Sequence, residues 1–154
     1  MKIGFIGLGN VGFKLANSVL ESGFELFIND LDKDVGIELI KKGAKWLDTP
    51  KEIAQKSDVS ITCLPSPKAV ESVLEGAEGL IEGIGSGKLW IEMITTDDKE
   101  MKRLASIIIG KKAHVIEAPV SGGCHRAATG NIAILVGGTR EAFDMAMPAL
   151  SAIG

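Results

Sequence analysis

The run Gly7-Leu8-Gly9-Asn10-Val11-Gly12 has the pattern G-x-G-x-x-G, directly after the apolar stretch Lys2–Ile6 and directly before a helical pattern. Alone the pattern is weak, because glycines are common in turns; between a strand and a helix it acquires a chemical meaning. Gly7 permits a tight turn, Gly9 lets the backbone approach a pyrophosphate, and Gly12 lets helix pack close to strand. The helix start then offers unpaired N–H groups and a positive dipole end to phosphate oxygens. About 20 residues on, at the end of a second apolar run, comes Asp30, where an acid that accepts hydrogen bonds from the adenosine ribose hydroxyls is expected. Such an acid repels a 2′-phosphate, and Asp32 and Asp34 strengthen that repulsion more than Lys33 relieves it, which favours NAD over NADP. The plainer alternatives are a tight turn without a ligand and a solvated acid at a helix cap.

Two further loops sit where ligands bind in parallel sheets, beyond the carboxyl ends of strands. Cys63-Leu64-Pro65-Ser66-Pro67 carries two prolines, a stiff wall for ribose or adenine or simply a rigid loop. Cys63 itself reads as a small core residue rather than a reactive thiol. Ser121-Gly122-Gly123 follows another strand and exposes several N–H groups and a hydroxyl. That set suits a carboxylate, and it equally suits a flexible turn.

Strands and helices must alternate to place these loops together. Apolar spacing predicts strands at Lys2–Ile6, Glu25–Asn29, Lys45–Leu47, Asp58–Leu64, Lys88–Met93, His114–Ala118 and Ile132–Val136. Between them, helices are predicted at Asn10–Ser22, Lys33–Lys42, Pro50–Lys56 and from Val70 to Gly76. A glycine-rich connection from Gly76 to Gly87 follows. Asp97 with Glu100 resembles a capping box for the helix through Met101, Leu104 and Ile108, and a last helix runs from Arg140. The expected fold class is α/β, a doubly wound, mainly parallel sheet forming one dinucleotide-binding domain over residues 1–154.

Composition removes other classes. The 17 basic and 20 acidic residues leave a net charge of −3, too mild to attract nucleic acid or an anionic membrane. No stretch reaches the roughly 18 apolar residues of a membrane span, and the start lacks the features of a signal peptide. The two cysteines, Cys63 and Cys124, fit neither a zinc site nor a disulfide framework, so no metal is expected and a reducing cytoplasm is the natural setting. With 19 glycines in 154 residues, against roughly 7% in an average protein, tight turns and close ligand approach are the theme.

Taken together, Gly4-Phe5-Ile6-Gly7-Leu8-Gly9-Asn10-Val11-Gly12, Leu64-Pro65, Ala118-Pro119-Val120-Ser121-Gly122-Gly123, Gly130 and Val136-Gly137-Gly138 resemble the cofactor domain of the 3-hydroxyisobutyrate dehydrogenase family of β-hydroxyacid dehydrogenases. Tartronate semialdehyde reductases belong to that family, and 6-phosphogluconate dehydrogenases are more distant relatives. The resemblance runs through essentially the whole chain. It implies that the glycine loop holds the pyrophosphate of NAD, that Asp30 binds the adenosine ribose, and that Leu64 and Pro65 border the cofactor. It further implies that Thr95 lies near the nicotinamide ribose and that Ser121, Gly122 and Gly123 hold the carboxylate and hydroxyl side of a small hydroxy-acid substrate.

The chain departs from the family pattern in places. Glu92-Met93-Ile94-Thr95 stands where an Asp-x-Ser-Thr run is usual, so a serine hydroxyl is replaced by Ile94. Cys124-His125-Arg126 is more polar than usual there; Arg126 either clamps a second carboxylate or lies at the surface, and His125 is an acid–base or a solvated loop residue. His114 reads as structural. Alcohol oxidation needs a base near the hydroxyl, and the resemblance implies a lysine and an asparagine in a following helical domain that lies outside these residues. Lys88, Lys111 and Lys112 sit on no such motif, so no catalytic residue is assigned and turnover by this chain alone is not expected. A face normally covered by that helical domain predicts self-association, a homo-oligomer or aggregate.

Overall fold

A computed structural model of the chain describes residues 1–94, 97–121, 133–134 and 136–153. Strand β1 (Lys2–Ile6) leads through the glycine turn into α1 (Asn10–Glu21) and β2 (Glu25–Asn29). A 3₁₀ turn (Lys33–Gly36) precedes α2 (Ile37–Lys41), β3 (Lys45–Trp46), α3 (Pro50–Lys56) and β4 (Val59–Thr62). Next come α4 (Pro67–Glu75), α5 (Leu80–Gly83), β5 (Leu89–Glu92), α6 (Asp98–Gly110) and β6 (His114–Glu117). Short strands β7 (Val120–Ser121), β8 (Ala133–Ile134) and β9 (Gly137–Gly138) precede the last helix, α7 (Arg140–Ile153).

The main sheet has the order β3-β2-β1-β4-β5-β6-β9, parallel except for β9. Strand order reverses between β1 and β4, which opens a crevice at their carboxyl ends. Near-continuous apolar strands such as Leu26–Ile28 are required because helices cover both faces. On one face Ile3, Phe5, Ile61 and Ile91 pack with Leu15 and Val19 of α1 and Ala146 and Leu150 of α7. On the other, Ile6, Phe27 and Trp90 pack with Ile53 of α3, Leu74 of α4 and Leu104 and Ile108 of α6. Helix starts on this second face are fixed by side chains: Thr49 accepts from Glu52 N–H, Ser66 from Ala69 N–H and Asp97 from Glu100 N–H.

Three expectations change. The helix expected over Lys33–Lys42 begins instead as a 3₁₀ turn, because Asp32 caps Asp34 N–H at 3.0 Å and Gly36 is pressed against Ile28 and Trp46. The glycine-rich connection contains α5, whose Leu80 is fully buried and whose Gly83 lies so close to Lys51 that a Cβ would meet its carbonyl oxygen at 2.1 Å. The apolar strand expected at Ile132–Val136 is not the last strand of the main sheet. Ala133–Ile134 pairs with Val120–Ser121 in a separate antiparallel ladder, and Gly137–Gly138 joins β6 instead. Gly138 favours glycine, with φ +152° and a Cβ that would meet Ile116 Cδ1 at 2.6 Å, whereas a Cβ on Gly137 would enter open space.

Candidate dinucleotide cleft

The crevice is a cleft of about 1250 Å³ at the carboxyl ends of β1, β2, β4, β5 and β6. Gly7, Gly9, Asn10, Val11, Gly12, Asp30, Leu64 and Pro65 all line it. Leu8 does not: its side chain is 2% exposed within the core, and its contribution is a backbone N–H. Thr95, Gly122, Gly123, Cys124, His125 and Arg126 lie outside the described residues, and of Ser121 only the backbone pairing with Ala133 is described.

The three glycines of the turn differ in what requires them. Gly7 has φ +99°, and a Cβ there would sit 2.2 Å from the Cys63 carbonyl oxygen; a Cβ on Gly12 would sit 2.1 Å from that of Gly7. Both are demanded by the fold itself. Gly9 has an ordinary φ of −69°, and a Cβ on it would meet nothing within 4 Å. The protein leaves that space open, above an α1 start with no side-chain cap and no acid in its first turn. Bare N–H groups at a 12-residue helix facing an open cleft fit a pyrophosphate.

Asp30 ties the turn together: Oδ2 accepts from Leu8 N–H at 2.7 Å and Oδ1 from Asp32 N–H at 3.0 Å, while Gly7 N–H donates to the Asn29 carbonyl at 3.1 Å. A carboxylate has about four acceptor sites, so two remain for donors that enter the cleft. Beside it Leu31 is fully exposed. The buried Asn29 amide donates to Leu47 O at 2.8 Å, and Trp46 Nε1 donates to Asp48 at 3.1 Å. These bonds hold Asp48, Thr49 and Pro50 on the same rim. Sequence reasoning passed over this rim, although Asp48-Thr49-Pro50 is a helix-cap signature following a strand.

The opposite end is apolar, walled by Cys63, Met93, Ile94, Pro119 and Val120. Burial, with the Glu92 charge adding to it, pushes the Cys63 thiol up to about 12, so it remains a neutral thiol as its core reading implied. Behind this wall Glu92 is fully buried, accepting from Thr62 Oγ1 at 2.8 Å and from Ile94 N–H at 3.1 Å. Sequence reasoning missed this cluster as a feature of the site. Ser66 caps α4 and, with Ala69, Ser72 and Val73, forms the side of the cleft.

Residues 2–154 match the family described as the NAD binding domain of 6-phosphogluconate dehydrogenase. The chain belongs to that family. As an NAD-binding domain of this type it is 38% identical over 152 residues to the uncharacterized oxidoreductase YkwC of Bacillus subtilis, covering 99% of this chain and 53% of that protein. It is 36% identical to the mitochondrial 3-hydroxyisobutyrate dehydrogenase of Mus musculus, covering 99% of this chain and 45% of that protein. A crystal structure of 3-hydroxyisobutyrate dehydrogenase from Salmonella typhimurium superposes with a TM-score of 0.93 at 25% identity, covering all of this chain and 54% of that one. The resemblance and the doubly wound sheet read from the sequence are therefore correct. The chain spans about half the length of the curated relatives it matches. Among the described residues, no helix is long and apolar enough to cross a membrane.

Proposed function

We propose that residues 1–154 are the NAD-binding part of a dehydrogenase of the 3-hydroxyisobutyrate type, which moves hydride between the cofactor and a small 3-hydroxy acid or its semialdehyde. The observation that carries this reading is the open space over Gly9, beside an uncapped helix start, in the cleft that Asp30 also lines. Backbone N–H groups of the turn hold the pyrophosphate, and Asp30 takes the ribose hydroxyls. Asp48, on the same rim, adds negative charge where a 2′-phosphate would lie, which favours NAD over NADP. Met93, Ile94, Pro119 and Val120 exclude water from the far end, where Thr95 is proposed to meet the nicotinamide ribose. Bound there, the nicotinamide supplies the hydride acceptor or donor.

Ser121, Gly122 and Gly123 are proposed to hold the substrate carboxylate. The base that takes the hydroxyl proton is proposed to come from outside these 154 residues, so this part binds and orients without completing turnover. A reducing compartment such as the cytoplasm suits its free Cys63. The test is a titration of the purified chain with NADH and with NADPH, followed by quenching of Trp46 and Trp90 fluorescence. Saturable quenching with NADH preferred, lost in Asp30→Ala, supports the reading. Preference for NADPH overturns the role given to Asp30, and absence of binding overturns the cofactor reading.

A further inference from the structure

Behind the apolar end of the cleft lies an ionisable group that the proposed chemistry leaves unused. Trp90 Nε1, which can only donate, hydrogen-bonds to Thr62 Oγ1 at 2.9 Å, and the Thr62 hydroxyl in turn lies 2.8 Å from Glu92 Oε2. Glu92 Oε1 accepts from Ile94 N–H. Every partner thus offers the carboxyl a hydrogen, the arrangement that suits its charged form. Burial opposes that charge and pushes the group up to about 7, with Glu117 on the neighbouring β6 adding repulsion. Met93 and Ile94, the next two residues of the chain, form the cleft wall.

The other titratable groups around it act differently. Glu117 is exposed and Cys63 on β4 stays neutral. On the helices over this face, Lys68, Glu71 and Glu75 of α4 and Lys102 and Arg103 of α6 are exposed, as are Glu141 and Asp144 of α7 across the sheet. Glu92 is therefore the buried charge nearest in sequence to this wall among the described residues.

We infer that Glu92 is a specificity-determining residue for the oxidation state of the cofactor: its buried carboxylate, held by Thr62 and the Ile94 amide behind the Met93–Ile94 wall, favours the cationic nicotinamide ring of NAD⁺ over the neutral ring of NADH. The inference rests on the reading that a dinucleotide lies in the cleft with its nicotinamide at the β4–β5–β6 end. The two forms share every phosphate and hydroxyl, so contacts at the glycine turn and Asp30 cancel between them. What differs is one positive charge on the ring, felt through a protein interior that screens far less than water. Linkage is reciprocal: NAD⁺ must lower the proton affinity of Glu92, and NADH must not.

The experiment is calorimetric titration of the chain with NAD⁺ and with NADH, in buffers of different ionisation enthalpy. Between about pH 6 and pH 8, the ratio Kd(NADH)/Kd(NAD⁺) rises on the order of threefold to tenfold. NAD⁺ binding near neutral pH releases a fraction of a proton that NADH binding does not. In Glu92→Gln the ratio is flat. In Thr62→Val, which removes a donor to the carboxylate, the rise moves to higher pH. A ratio independent of pH in the unaltered chain overturns the inference without recourse to any variant, as does a pH-dependent ratio that persists in Glu92→Gln. Binding of neither form overturns the cofactor reading instead.

Discussion

The two ends of the cleft are built by opposite means. At the β2 end, Asp30 is half-exposed, and its hydrogen bonds to Leu8 and Asp32 N–H groups serve the turns on either side of it. At the β5 end, Trp90, Thr62 and Glu92 come from two strands separated by 28 to 30 positions, and all three are buried. The first end presents backbone N–H groups and a half-exposed acid to the cleft, and its stability rests on the close backbone approaches at Gly7 and Gly12 rather than on Asp30 or Gly9. The second end forms part of the core, so ligand, proton and fold stability are coupled there.

The largest effect is expected within the glycine turn. A Cβ on Gly12 collides with a backbone carbonyl, whereas a Cβ on Gly9 enters empty space. Gly12→Ala is expected to destabilise the chain by about 3 kcal/mol in denaturant unfolding. Gly9→Ala is expected to cost less than about 1 kcal/mol of stability, since it changes only an uncapped helix start. Its NADH affinity nonetheless falls by roughly tenfold or more, because the charge-assisted approach of phosphate is lost. Equal stability losses in the two variants would mean that the space over Gly9 is not reserved for a ligand.

The buried end sets the next largest effect, through pH. Glu92 rises from 4.5 to about 7 on folding, so the native state binds more protons than the unfolded chain in that interval. Its contribution is therefore complete below 4.5 and is lost as pH rises through about 7. Between pH 4 and pH 8 the loss amounts to about 3 kcal/mol. Unfolding free energies of the unaltered chain and Glu92→Gln, compared across that range, isolate it from the other carboxylates. Stability of the unaltered chain that rises relative to Glu92→Gln would show the carboxylate to be satisfied by its donors despite burial.

This contrast also explains what the sequence could disclose. The glycine turn, Asp30 and the alternation of elements are local signals: spacing, cap residues and apolar runs that act within a few residues of themselves. They locate β1, α1 and β2 and imply a mainly parallel, doubly wound sheet. Glu92 gives no such signal, because its partners Thr62 and Trp90 become neighbours only once β4 and β5 pair in register, with Thr62 opposite Glu92. Asn29 is similar, since its tie to Leu47 needs β2 and β3 already side by side. The apolar run at Ile132–Val136 does mark a strand at Ala133–Ile134, but a local pattern carries no information on its partner, which is Val120–Ser121 rather than the main sheet.

The smallest effect tests whether burial, rather than the number of hydrogen bonds, separates the two ends. Arg103 on α6 contacts both carboxylate oxygens of Glu75 on α4 and also those of Glu100, which is richer bonding than Glu92 receives. These bonds hold both carboxyls below their usual range and raise the guanidinium above its own. The clasp ties the α4 wall of the cleft to α6, yet its groups are partly exposed to solvent, where side-chain entropy and salt offset the attraction. Arg103→Ala is therefore expected to leave the unfolding midpoint and NADH affinity within experimental scatter at physiological salt. If it instead lowers the unfolding midpoint and NADH affinity well beyond that scatter, the α4–α6 contact is a structural support of the cleft. Burial would then not be what distinguishes the β5 end.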